Sequence, residues 1–141
     1  GVPGKSDTPT YSLPNLSILG RIDMNDTHLA IGCYPGGSSF KVLELSSLSS
    51  PSYQTVPGQD CPSEVSLNEK GFFIPSDDKI IGWNSISDAL AGSSPTMSFG
   101  GRTDKTNMGT KMASGISWDG YHFWVGEYKF SNRLLGFLPS K

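Results

Sequence analysis

Apolar and polar residues alternate over short runs in this chain, and the runs recur. Leu29-Ala30-Ile31-Gly32-Cys33 leads after a loop to Lys41-Val42-Leu43-Glu44-Leu45. Phe72-Phe73-Ile74-Pro75-Ser76 leads to Lys79-Ile80-Ile81-Gly82-Trp83, and Phe123-Trp124-Val125-Gly126-Glu127 to Arg133-Leu134-Leu135-Gly136-Phe137. Each pair is an apolar strand ending on a small and then a polar position, a variable turn, and a basic residue opening a second apolar strand. A further short strand precedes each pair, at 17–23, 63–67 and 114–118. The joining turns, Asn25-Asp26, Glu69-Lys70-Gly71 and Asp119-Gly120, carry the residues that hairpins require.

A fourth strand opens each unit. Thr8-Pro9-Thr10-Tyr11-Ser12-Leu13, Ser50-Pro51-Ser52-Tyr53-Gln54-Thr55-Val56 and Ser94-Pro95-Thr96-Met97-Ser98-Phe99 each read hydroxyl, Pro, hydroxyl, strand. Proline in a strand is tolerated at its start or at a sheet edge. Pro9, Pro51 and Pro95 are 42 and 44 residues apart. The chain order is therefore outer, inner, second and third strand, three times over. Four antiparallel strands in about 40–50 residues is the period of a propeller blade. The pattern predicts an all-β fold over residues 8–141, made of three four-stranded antiparallel blades, behind a flexible segment 1–7. The best helical candidate, 85–91, is short.

Three blades do not close a ring, since propellers carry about 4–8. The last blade lacks an outer strand after Phe137, and strand 8–13 is spare. The expected assembly is a head-to-tail homodimer in which each N-terminal strand completes the partner's last blade and seals the edge.

Composition narrows the function classes. Eleven Lys and Arg against 13 Asp and Glu give a net charge of −2, without the basic surplus that nucleic-acid binding uses. No run approaches the roughly 18 apolar residues of a helical membrane span, so no membrane insertion is expected. The start, Gly1-Val2-Pro3-Gly4-Lys5-Ser6, looks processed. The sequons Asn15-Leu16-Ser17 and Asn25-Asp26-Thr27, with two cysteines, fit a secreted or extracellular protein.

The third repeat resembles the NHL-type β-propellers. Their blades commonly run as an apolar strand, an acidic residue, a short Asn-rich turn, then Arg and an apolar strand. Phe123-Trp124-Val125-Gly126-Glu127 and Ser131-Asn132-Arg133-Leu134-Leu135-Gly136-Phe137 follow that order. The stretch from Lys79 through Pro95 to Phe99-Gly100-Gly101 is similar to the family's third-to-outer-strand connection. The resemblance covers roughly residues 72–137. Cys33 and Ser76 stand where the acid would be in the first two repeats, so the acid–base pairing is implied for the third repeat only.

Candidate chemistry is sparse. Glu127 and Arg133 are either a ligand grip or a charge-assisted tie across a turn. His28 and His122 occupy matching positions before the second strand, either as metal ligands or as turn residues. Asp77-Asp78 is a calcium-type pair or a hairpin turn. Trp118, Tyr121, Phe123, Trp124, Tyr128 and Phe130 crowd the third repeat, and strand alternation turns Phe123 and Val125 one way and Trp124 the other. Tyr128 and Phe130, with Tyr34 in the matching loop of the first repeat, are placed to stack on a sugar or hold a peptide. In a blade, the end of the second strand and the start of the inner strand share one face of the ring. Cys33 and Cys61 are thus either a disulfide between the first two blades or two packed thiols.

No nucleophile elbow, Ser–His–Asp order or phosphate loop occurs, and no cofactor is expected. The residues point first to a non-enzymatic, lectin-like module binding a small ligand or glycan. The expected ligand set is Tyr34, Glu127, Tyr128, Phe130 and Arg133. The alternatives are a lyase or hydrolase with its site at the axial mouth, as in some six-bladed relatives, and a structural or protein-interaction propeller.

Overall fold

The alternating runs become three antiparallel sheets, one for each repeat. The computed structural model describes residues 9–14, 16, 19–33, 41–59, 64–76, 79–99, 113–127 and 134–138. The first sheet is the meander β1 (Leu19–Met24), β2 (His28–Cys33), β3 (Lys41–Glu44) and β4 (Tyr53–Gln54). The second is β5 (Ser66–Asn68), β6 (Gly71–Ser76), β7 (Lys79–Trp83) and β8 (Met97–Phe99). The third is β9 (Ala113–Trp118), β10 (Phe123–Glu127) and β11 (Leu134–Phe137). Strand order within each sheet is chain order, as the repeat predicts.

Side chains set the turns. Asn25 Oδ1 accepts the N–H groups of Thr27 and His28 at 2.9 and 2.8 Å, folding the chain from β1 into β2. Asp119 Oδ1 does the same for Tyr121 and His122, both at 2.7 Å, between β9 and β10. In the second sheet Asn68 Oδ1 takes the Lys70 N–H at 2.8 Å, and Gly71 follows at φ 134°. A Cβ on Gly71 would lie 1.8 Å from the Trp83 carbonyl oxygen, so no other residue fits this close approach.

The core lies between sheets. Alternation along β6 sends Phe72 and Ile74 to the first sheet and Phe73 to the third. The first joint packs Ala30 and Val42 against Val65, Leu67, Phe72, Ile74 and Ile81. The second packs Phe73 and Ile80 against Phe123 and Val125, with Ile116, Trp118, Leu135 and Phe137 at its margin. The Phe73 and Phe123 ring centres are 4.2 Å apart. Phe123 and Val125 are fully buried while Trp124 is 37% exposed, the split that the alternation predicts.

Two details differ from the expectation. The short helical segment is α1 (Ile86–Leu90), capped by Ser85 Oγ at the Asp88 N–H, and it contributes buried Ile86 and Ala89 to the first joint. Residues 9–13 of the expected strand 8–13 carry no strand, nor does residue 14. A strand needs a hydrogen-bonding neighbour, and this segment has none along its backbone among the described residues. It is tied instead by the Tyr53 hydroxyl, which donates to the Pro14 carbonyl at 2.6 Å. Residues 1–7 lie outside the described residues.

Candidate functional site

The inner strands β1, β5 and β9 run side by side and line a groove of about 1080 Å³. Alternation decides what each strand offers it. On β1, Arg21 and Asp23 are turned toward the second sheet, and Ile22 and Met24 away from it. Arg21 Nε sits 3.4 Å from Glu64 Oε1, two residues ahead of β5. Asp23 Oδ2 accepts the Leu67 N–H at 2.9 Å, and its Oδ1 accepts the Met24 N–H at 2.9 Å. That carboxylate joins the first two inner strands.

Glu64 is the unusual group. Its side chain is buried while the Arg21 side chain is 70% exposed. Burial pushes the Glu64 carboxyl up to about 7, against the opposing pull of the Arg21 charge and hydrogen bond. The groove thus holds a carboxyl poised near neutrality under an exposed guanidinium. Further along, the Trp118 Nε1–H donates to Glu69 Oε1 at 2.5 Å, tying the third inner strand to the second. This bond is the main cause that lowers the Glu69 carboxyl from its ordinary range. Lys70 Nζ lies 6.0 Å from the centre of the Trp118 ring. Ser66, Ser117 and Trp124 are among the other residues that line the groove.

Most of the expected site residues are not among the described residues. Tyr34, Tyr128, Phe130 and Arg133 lie outside the described residues, as do Asp77, Asp78 and Cys61. Cys33 ends β2 and Glu127 ends β10, matching positions at one end of their sheets, and their side chains lie outside the description too. His28 and His122 do occupy equivalent turns. His28 Nδ1 is 2.7 Å from Thr27 Oγ1, and His122 Nδ1 is 3.6 Å from Asp119 Oδ2. Asp119 also accepts the Trp124 Nε1–H at 2.8 Å. The hydrogen bonds from the His122 N–H above all, then from the Trp124 indole and the Tyr121 N–H, lower its carboxyl to about 2. Among the described residues, no three His, Cys, Asp or Glu side chains group to hold a metal ion.

The sequence pattern singles out the ends of the second strands and so passes over Arg21, Asp23 and Glu64. A signal was present: Arg21 and Glu64 are 43 positions apart, about one repeat, on equivalent inner strands.

The fold and groove define the class: an all-β chain of repeated antiparallel sheets stacked face to face, with inner strands facing a common groove. No protein-family model, curated protein or solved structure matches the chain.

Proposed function

We propose that the chain is half of a six-bladed, NHL-like propeller and acts as a non-enzymatic binding module, with the inner-strand groove as its ligand site. A small polyhydroxyl ligand, a glycan above all, is the class its chemistry suits. The observation that carries this is the pairing of exposed Arg21 with buried Glu64 in a groove that Trp118 also lines further along. A guanidinium and a carboxyl offer donors and acceptors to vicinal hydroxyls, and an indole offers an apolar face to a sugar ring. The loop aromatics Tyr34, Tyr128 and Phe130, with Glu127 and Arg133, would extend the site at the mouth.

The test is a glycan array on the purified chain, followed by titration of the best ligand against wild type and Arg21→Ala. Saturable binding that Arg21→Ala weakens supports the reading. A chain that binds no glycan, yet cleaves an ester or a glycosidic bond, would replace it with the enzyme reading.

A further inference from the structure

The two ends of the stack of sheets expose the same positions that its interior buries. The strand registers make the comparison direct. Met24 pairs with Leu29, Leu67 with Phe72, and Trp118 with Phe123, so Met24, Leu67 and Trp118 are equivalent. By the same alignment Ile22 matches Val65 and Ile116. Phe73 pairs with Gly82 and Trp124 with Gly136, so Trp124 matches Phe73, and Leu134 matches Ile80.

Burial divides these positions sharply. Val65 and Leu67 are each 3% exposed at the first joint, and Phe73 and Ile80 are each 0% exposed at the second. Their equivalents at the ends are open: Ile22 is 64% exposed, Met24 55%, Trp124 37% and Leu134 67%. One end is thus the receiving half of a joint, and the other end is the covering half.

We infer that a second copy of this chain joins the two ends, so that Trp124 and Leu134 of each copy pack on Ile22 and Met24 of the other. The inference rests on the propeller reading above. The joint already used twice within the chain is the template: each sheet's far face is covered by the near face of the next. Third sheet onto first sheet continues that order, and two copies related by a two-fold axis satisfy both ends and leave none open. Two further observations agree. Leu43 and Tyr53 alternate with Val42 and so face away from the second sheet, and Tyr53 holds Pro14 on that side. Segment 9–14 is therefore placed beside the approach of the second copy's β11, which is at the edge of its sheet among the described residues. The four end residues also border the groove, so the second copy would close it into an axial channel.

Light scattering on the whole chain tests this. The expected mass is twice the 15.1 kDa of one chain. Met24→Glu and Leu134→Glu should each shift the protein to single-chain mass with an unchanged far-ultraviolet spectrum, because both side chains are already exposed within one chain. A wild-type monomer would overturn the inference, and so would an open ladder of larger assemblies. A dimer that withstands both substitutions would overturn the assigned faces. The binding reading fails separately: an intact dimer without glycan binding removes the ligand proposal alone, and a monomer that still binds glycan removes the seam and the six-bladed ring but leaves the ligand proposal standing.

Discussion

The ring of Phe73 lies directly over Gly82, its partner across β6 and β7, so closely that a Cβ on Gly82 would fall 2.4 Å from the ring. The third sheet repeats the arrangement with Trp124 over Gly136, where the corresponding approach is 2.9 Å. A glycine in a strand lacks a side chain to pack, and an aromatic from the neighbouring strand fills the vacancy. The two copies differ in surroundings, since Phe73 is fully buried and Trp124 is partly exposed.

Gly82→Ala should therefore destabilise the chain by roughly 1–3 kcal/mol, the usual scale of overpacking. The Phe73 ring cannot retreat, because Phe123 sits 4.2 Å from it on the far side. With both changes made in the Met24→Glu background, which opens the seam, Gly136→Ala should cost clearly less, because Trp124 is partly exposed within one chain. Urea unfolding of both variants checks the order, and an equal loss would show that exposure does not govern it.

Glu64 should make stability fall as pH rises through the neutral range. Its carboxyl is raised from 4.5 to about 7 in the folded chain, mainly by burial. The folded state then holds a proton that the unfolded state has released, so this group's stabilisation is complete below about 4.5 and lost as pH passes about 7. Glu64→Gln keeps the shape and removes the titration. The variant's melting temperature should gain on wild type between roughly pH 5 and 8, by a few degrees for a shift of this size. A difference that stays flat over that range would refute the assignment.

Asp23 should be worth more than an exposed polar residue. Asp23→Ala leaves the Leu67 N–H without its acceptor at the first joint and removes the tie between β1 and β5. The expected loss is about 1–3 kcal/mol. Faster hydrogen exchange at the Leu67 amide is the site-specific check.

Tyr128→Ala should weaken glycan binding by about 1–2 kcal/mol, the scale of lost ring stacking, while the melting temperature stays close to wild type. A large fall in melting temperature would identify Tyr128 as a packing residue and withdraw it from the ligand set.

The strand plan was legible in the sequence because alternation and turn chemistry are local. Phe72-Phe73-Ile74 reads as a strand buried on both faces, and Asn25 and Asp119 mark turns that their own side chains then close. Even the direction of Trp124 follows from its neighbours, since successive side chains on a strand must oppose each other. Other features depend on segments far apart in the chain. Segment 8–13 reads as strand, yet strand formation requires a neighbour, and along its described backbone none is available among the described residues. The helix at 86–90 is too short to persist alone, and burial of Ile86 and Ala89 is what holds it. Arg21 and Glu64 lie 43 positions apart, and only the stacking of inner strands brings the guanidinium to the carboxyl. The shift of Glu64 toward neutrality is likewise a tertiary effect, because a carboxyl resists ionisation only where the packed chain has taken water away.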